Sequence, residues 1–157
     1  MSKAPATARL ISSVVIQKDD KMLVLREPND DGGMKLNLPG GHVEPGEGAI
    51  EAAVREAREE TGLEIGVSHF LQVISSSWKD GSHSVRHIFV GQIKGGDLQA
   101  EQGSEILWMT KEEIVSAADG VFVFGVRESF VLAFERNYID PKNVIFRDKG
   151  EVKKLIN

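Results

Sequence analysis

Three glutamates, Glu56, Glu59 and Glu60, stand close together in the segment REAREETG at positions 55–62. In a helix of about 100° per residue, Glu60 and Glu59 fall about 40° and 60° to either side of Glu56, so the three carboxylates share one face. Like charges three and four residues apart repel each other. Hard divalent cations such as Mg²⁺ prefer carboxylate oxygens and keep some of their waters. The spacing therefore indicates a site for a divalent metal ion.

An ordinary solvated helix face is the alternative, because Glu and Arg are good helix formers and charged faces are common. On the helical projection, however, Ala49 and Ala52 fall within the acidic face and leave room above the carboxylates. Arg55 and Arg58 project about 100° and 160° away from Glu56, so we expect no basic side chain on that face. A separate apolar stripe predicts the side that packs on a core: Ile50, Ala53, Val54, Ala57 and Thr61.

The elements that lead into this helix can be predicted from hydrophobic periodicity and turn residues. Apolar runs at Leu10–Gln17 and Met22–Arg26 flank a short polar turn and predict a β-hairpin. The segment Glu27–Lys35 has the composition of a loop. Leu36–Leu38 reads as a short strand that enters the glycine-rich stretch LPGGHVEPGE.

The acidic helix should begin near Gly48 and end at Gly62, because glycine is favoured just past the last helical residue. Three strands and two helices are predicted after it: Phe70–Ser75, Ser82–Ile93, Glu105–Met109, a helix opened by the capping box Thr110–Glu113, and a helix over Arg127–Tyr138. Mixed strands and helices predict an α/β fold with a sheet covered by helices on its faces. A chain of 157 residues suits a single domain over positions 1–157.

Composition excludes several classes of function. The net charge of −5 gives no support for binding a nucleic-acid polymer. The absence of cysteine rules out disulfides, thiolate metal sites and a thiol nucleophile. No segment reaches the roughly 18 consecutive apolar residues that a membrane helix needs. We therefore expect a cytoplasmic protein without a membrane partner, and leave a homodimer open.

The residues from Gly41 to Leu63 follow the spacing G-x5-E-x7-R-E-A-x-E-E-x-G-L. This pattern resembles the signature of the Nudix hydrolase family, and the preceding Leu38-Pro39-Gly40 also looks like that family. Ala57 departs from the pattern, because the family usually has a larger aliphatic residue there. The resemblance implies a Nudix fold, in which a mixed β-sheet is sandwiched between α-helices.

The resemblance also implies an activity, the hydrolysis of nucleoside diphosphates linked to another group. It implies that Mg²⁺ or Mn²⁺ is bound by Glu56, Glu59, Glu60 and the backbone carbonyl of Gly40. Glu56 is the first candidate for the general base that deprotonates the attacking water. Glu105 is the second, because it lies in a late loop and strand where many family members present one more acid.

Other residues of the motif have structural roles by the same resemblance. Glu47 and Arg55 are expected to form an ion pair that braces the loop against the helix. Gly41 is expected to permit close approach of the main chain to a ligand, and Gly62 to end the helix.

The sequence says less about the substrate. Family members that cleave ADP-ribose tend to have a proline after the motif, and those that cleave dinucleoside polyphosphates a tyrosine; neither residue occurs between Leu63 and Tyr138. A nucleoside di- or triphosphate, or another small organic diphosphate, is therefore favoured. Residues 36–39 and 108–114 mildly resemble bacterial broad-specificity nucleotide phosphatases of the family. The candidate substrate contacts are Arg26, Lys35, Trp78 and Arg86.

Two readings without catalysis remain. A Nudix-like domain that binds nucleotide without turnover usually lacks some of the glutamates of the motif, and here all are present. A structural Ca²⁺ site is disfavoured because the twelve-residue loop with alternating Asp and Asn ligands is absent.

Overall fold

The computed structural model describes residues 7–139, 146–148 and 151–153. Its elements, in chain order, are β1 (Arg9–Lys18), β2 (Lys21–Pro28), β3 (Met34–Asn37), β4 (Gly40–His42), α1 (Ala49–Thr61), β5 (Leu63–Ser77), β6 (His83–Gly96), β7 (Glu105–Thr110), α2 (Lys111–Ser116), α3 (Val126–Phe134), β8 (Phe146–Asp148) and β9 (Glu151–Lys153). No helix among the described residues is long and apolar enough to cross a membrane.

Seven strands form one mixed sheet. The order along the sheet is β3-β2-β1-β6-β5, with β4 paired to β1 and β7 paired to β2. Strands β1 and β6 run parallel, and the other strand pairs of this sheet are antiparallel. Strands β8 and β9 form a separate antiparallel pair.

Successive residues of the central strands face two different cores. On β1, Val14 and Ile16 pack in the cluster that contains Ala53 and Ala57 of α1. Val15 faces the opposite way, into the cluster that contains residues of α2 and α3. This alternation is the two-residue period of a strand with both faces buried. The prediction of an α/β fold with a mixed sheet between helices is confirmed.

Helix α1 begins and ends where glycines predict. The Glu51 carboxylate accepts a hydrogen bond from the backbone N–H of Gly48 at 3.1 Å. Gly62 has φ of 71° and donates its N–H to the Arg58 carbonyl at 2.9 Å. Among the predicted apolar stripe, Ala53, Ala57 and Thr61 are buried, whereas Ile50 and Val54 are half-buried.

Most of the predicted elements are confirmed, with changed bounds. Strand β2 extends to Pro28, so the predicted loop Glu27–Lys35 is shorter than expected. Strand β5 starts directly after α1 and is far longer than Phe70–Ser75. Helix α3 ends at Phe134, four residues before the predicted Tyr138.

Candidate active site

Two consecutive glycines let the acidic face of α1 lie directly on β4. Gly40 has φ of +153°, and a Cβ there would overlap the Ser13 hydroxyl and the Ser12 carbonyl of β1. A Cβ at Gly41 would lie 2.5 Å from Oε1 of Glu56. Only glycine at both positions permits this approach of strand, helix and carboxylate.

Glu60 is half-buried and lies against the backbone of β4. Its Oε2 accepts a hydrogen bond from the backbone N–H of Gly40 at 2.8 Å. Burial raises the pKa of Glu60 to about 8, and although the Gly40 hydrogen bond opposes this shift, the charges of Glu27, Glu56 and Glu101 add to it. Negative charge is therefore concentrated around this carboxylate.

Arg55 connects the loop before α1 to the acidic face. Its Nε and Nη2 donate to the two carboxylate oxygens of Glu47 at 2.8 and 2.9 Å, and Nη2 also donates to the His42 carbonyl at 3.0 Å. Its Nη1 donates to Glu56 Oε1 at 2.8 Å and to Glu59 Oε2 at 3.1 Å. The hydrogen bonds with Glu47 are the main reason that the pKa of Arg55 lies above its ordinary value.

The Glu47–Arg55 ion pair that the motif implies is therefore present. The expectation of an acidic face without a basic residue is wrong, because Arg55 reaches two of its glutamates. The helical projection gives the direction of the Cβ only, and a long guanidinium side chain can turn back across the surface of its helix.

The oxygen atoms of the acidic face suit a hard divalent cation. Arg55 engages one oxygen each of Glu56 and Glu59, and the Gly40 N–H engages one oxygen of Glu60. The second oxygen of each accepts no hydrogen bond among the described residues. However, no three His, Asp or Glu side chains in the described part of the chain are already arranged as metal ligands. The donor type fits, and a bound metal would need these carboxylates to turn.

The family model described as NUDIX domain matches residues 7–142. The chain belongs to the Nudix hydrolase family. Its curated relatives include the ADP-ribose pyrophosphatase of Methanocaldococcus jannaschii, 41% identical over 55% of this chain, and the CTP pyrophosphohydrolase of Escherichia coli K12, 31% identical over 66%. The alignments cover 52% and 76% of those two proteins, so the chain spans only about half the length of the archaeal one.

Solved structures show the same fold. A Nudix hydrolase from Nitrosomonas europaea superposes with a TM-score of 0.79 at 25% identity, over 91% of this chain and 99% of that one. A protein from Methanosarcina mazei, described as MutT, superposes with a TM-score of 0.70 at 22% identity, over 86% and 98%.

Two further acids lie near helix α1. Glu27 and Glu101 both act electrostatically on Glu60. Asn37 Nδ2 donates to Glu27 Oε1 at 2.6 Å, and burial raises the pKa of Glu27. The segment before Glu101 lies alongside the C-terminal end of α1, because the Glu101 N–H donates to the Glu60 carbonyl at 3.2 Å.

Sequence reasoning missed both acids. Glu27 was assigned to a loop, although it continues the alternation of Leu23 and Leu25 on β2, which is the signal that could have revealed it. Glu101 lies outside any regular element, and its position depends on how the chain returns past α1. No local pattern marks it.

Glu105 and Arg26 form an ion pair with each other. They are opposite partners in the β2–β7 register, and Arg26 Nη1 lies 3.0 Å from Glu105 Oε2. Both side chains are about half exposed, and no hydrogen bond or ion pair among the described residues joins this pair to Glu56, Glu59 or Glu60. Because they face each other in the strand register, Glu105 is paired with Arg26 and not with one of the three glutamates of α1.

The remaining candidate substrate residues lie in two places. Lys35 Nζ donates to the Gly120 carbonyl, which ties β3 to the segment before α3. Arg86 Nη1 donates to Asn37 Oδ1 at 3.1 Å, and its charge interacts with Glu27 and Glu60. Trp78 is exposed and lines a cleft of about 220 Å³ together with Arg86.

A larger cleft, of about 740 Å³, lies between the loop at residues 44–47 and helix α1. Arg55 and Glu59 line it, together with the half-buried Ile50 and Val54. Glu56 and Glu60 are absent from its lining. Of the three glutamates, Glu59 lines this cleft, and none lines the cleft of about 220 Å³ that contains Arg86.

Proposed function

We propose that this Nudix hydrolase cleaves a phosphoanhydride bond of a nucleoside di- or triphosphate, or of another small organic diphosphate, by attack of water at phosphorus with Mg²⁺ or Mn²⁺. The observation that carries the proposal is the acidic face of Glu56, Glu59 and Glu60, held against Gly40 and Gly41. Phosphoryl transfer needs charge neutralisation, a positioned water and a base, and such a face can serve all three needs.

Glu56, Glu59, Glu60 and the Gly40 carbonyl would hold the metal ion. When bound, the metal would neutralise diphosphate charge and lower the pKa of a water ligand. Arg55 would then release its bonds to Glu56 and Glu59 while keeping both bonds to Glu47, so the loop stays braced against α1. Gly40 stays positioned by its pairing with Ser13 of β1.

Glu56 is the residue that we propose as the general base. It is only 15% exposed, and its Oε2 accepts no hydrogen bond among the described residues. Its Oε2 is the atom that would accept the proton of the attacking water. Glu105 is the weaker candidate because its carboxylate is paired with Arg26.

The two curated relatives have different substrates, so family membership leaves the substrate open. The absence of a proline and a tyrosine after the motif favours a nucleoside di- or triphosphate as the substrate. The similarity to the CTP pyrophosphohydrolase favours the same substrate class. ADP-ribose is the second candidate, supported by the 41% identity to the archaeal pyrophosphatase. Arg86 is the basic side chain that we propose to contact substrate phosphates, because its charge interacts with Glu60.

The test is a substrate panel assayed for product release with Mg²⁺, with Mn²⁺ and with a chelator. It contains nucleoside triphosphates, nucleoside diphosphates, ADP-ribose and a dinucleoside polyphosphate. We expect metal-dependent turnover of nucleoside phosphates, and a loss of at least about 10²-fold in kcat for Glu56→Gln. Glu112→Gln, which changes an exposed glutamate of α2, is the control. Undiminished turnover in excess chelator contradicts the role of the metal. A Glu56→Gln variant within about threefold of wild type shows that the general base lies elsewhere.

A further inference from the structure

Trp78 and Phe124 are large aromatic side chains that the fold leaves exposed. Trp78 is 51% and Phe124 76% exposed. They come from different segments, the β5–β6 turn and the loop before α3, and both line the same two clefts, of about 220 and 440 Å³. Exposure of neighbouring large apolar groups costs free energy and commonly marks a binding surface.

The backbone under Phe124 is fixed. Leu36 of β3 exchanges hydrogen bonds with both sides of Phe122, donating to the Val121 carbonyl and accepting from the Val123 N–H. Phe122 is buried, and two residues later Phe124 points outward. Gly125, with φ of +76°, packs so closely on Ile74 of β5 that a Cβ would come within 2.5 Å of it.

The backbone under Trp78 is also ordered by hydrogen bonds. The Trp78 N–H donates to the Ser82 carbonyl at 2.9 Å, and Gly81 donates to the Trp78 carbonyl at 3.0 Å. Asp80 accepts from both the N–H and the hydroxyl of Ser82. Both aromatic rings are therefore attached to hydrogen-bonded backbone, which lowers the entropic cost of binding a flat ligand between or against them.

The smaller cleft contains basic as well as aromatic side chains. Arg86 lines it, and the same guanidinium donates to Asn37, which in turn donates to Glu27. The charge of Arg86 interacts with Glu27 and Glu60. His42 also lines this cleft, and its backbone carbonyl accepts a hydrogen bond from Arg55, which donates to Glu56 and Glu59 as well.

We propose that Trp78 and Phe124 stack on the base of the nucleotide while its phosphates extend past Arg86 to the acidic face. This inference rests on the proposed nucleotide hydrolysis. The polar side chains that line the 220 Å³ cleft are Arg9, His42, Ser76, Ser84 and Arg86. Two aromatic rings recognise a base by stacking rather than by hydrogen bonds to its edge, and every base has a π face on which a ring can stack. The enzyme should therefore accept several bases.

The first arm of the test is kinetic. Trp78→Ala and Phe124→Ala should each raise KM for a nucleoside triphosphate at least about fivefold, the lower end of the measured contribution of base stacking, with kcat nearly unchanged. Val115→Ala, an exposed apolar residue of α2, is the matched control and should leave KM unchanged. An unchanged KM in both aromatic variants overturns the stacking role but leaves the hydrolase proposal intact.

The second arm measures binding without turnover. The chain has two tryptophans, so the fluorescence of wild type minus that of Trp78→Phe reports Trp78. A nucleoside monophosphate should quench this difference signal, and ribose 5-phosphate, which lacks a base, should not. This readout tests stacking even if the wild type hydrolyses no nucleotide, an outcome that would contradict only the proposed function. Quenching by neither compound, or equally by both, overturns the stacking role.

A second copy of the chain is the other occupant to test for. Sedimentation of wild type, Trp78→Ala and Phe124→Ala gives the oligomeric state of each. We expect the same mass for all three. A lower mass in the two aromatic variants, together with an unchanged KM, would assign these rings to a protein interface and overturn the proposal.

Discussion

Replacing Glu60 with glutamine separates a role in metal binding from a role in the fold. Burial and neighbouring acids raise the pKa of Glu60 in the folded protein to about 8, from an ordinary value of 4.5. Between these two pH values the folded state binds this proton more tightly than the unfolded state does. The stability of the metal-free protein should therefore fall as the pH rises through this window, and the loss should be complete above about pH 8.

The magnitude follows from the size of the shift. A shift of this size corresponds to at most about 5 kcal/mol. Glu60 keeps some contact with solvent and its neighbouring carboxylates can turn away, so we expect about 2 kcal/mol. For a chain of this length that lowers Tm by about 4–8 °C. Glu60→Gln retains an acceptor for the Gly40 N–H but removes the charge, so the pH dependence should largely disappear.

The assay is a set of thermal melts from about pH 5.5 to about pH 8.5, with and without Mg²⁺. At the upper pH, metal-free Glu60→Gln should melt at or above the wild-type temperature. Added Mg²⁺ should stabilise the variant less than the wild type, because stabilisation by a ligand follows its affinity. Glu64→Gln, an exposed carboxylate just after α1, is the control.

Two results would refute this reasoning. One is a Glu60→Gln variant with the same pH slope as wild type, since the buried carboxylate would then not be the source of the slope. The other is a metal-free variant that melts well below wild type while keeping its full response to Mg²⁺. Glu60 would then serve the fold rather than the metal.

Three further substitutions test the geometry of the site. Arg55→Ala should lower Tm and reduce kcat/KM on the order of 10²-fold, because a loop shifted by about 1 Å misplaces the ligands; Arg55→Lys should not restore activity, since Lys lacks the guanidinium fork. Gly41→Ala should lower kcat at least about 10-fold, since its Cβ would lie 2.5 Å from a carboxylate oxygen of Glu56. Gly33→Ala is the control and should leave kcat unchanged, because its Cβ would meet nothing within 4 Å. Glu101→Gln should impair Mg²⁺-dependent turnover more than Glu105→Gln, because the charge of Glu101, unlike that of Glu105, acts on Glu60. The reverse order would restore Glu105 as a candidate base.

The local parts of the fold could be predicted from the sequence because local rules determine them. Gly48 and Gly62 bound α1, and the capping box at Thr110–Glu113 opens α2, as predicted. The bounds of β5 were missed because its N-terminal half lacks a clean alternation, and register shifts interrupt its pairing with β6. Pairing with a neighbouring strand extends it beyond what its own residues indicate.

Contacts between distant segments could not be predicted in the same way. The network of Glu27, Asn37 and Arg86 joins β2, β3 and β6, and these residues become neighbours only through the strand order of the sheet. Arg86 was proposed from its charge alone, and Phe124 gave no signal, since an aromatic residue in a hydrophobic stretch usually packs in a core. The motif is contiguous because its parts belong to one loop and one helix.

The motif and the proposed substrate contacts lie in different parts of the chain. The residues that we propose for metal binding and water activation all lie between Gly40 and Glu60, so their spacing in the sequence can indicate that chemistry. The residues that we propose to contact the nucleotide come from β6, the β5–β6 turn and the loop before α3. None of these segments belongs to the motif at residues 41–63. Substrate choice can therefore vary while hydrolysis is retained, which fits two relatives whose names give different substrates, ADP-ribose and CTP.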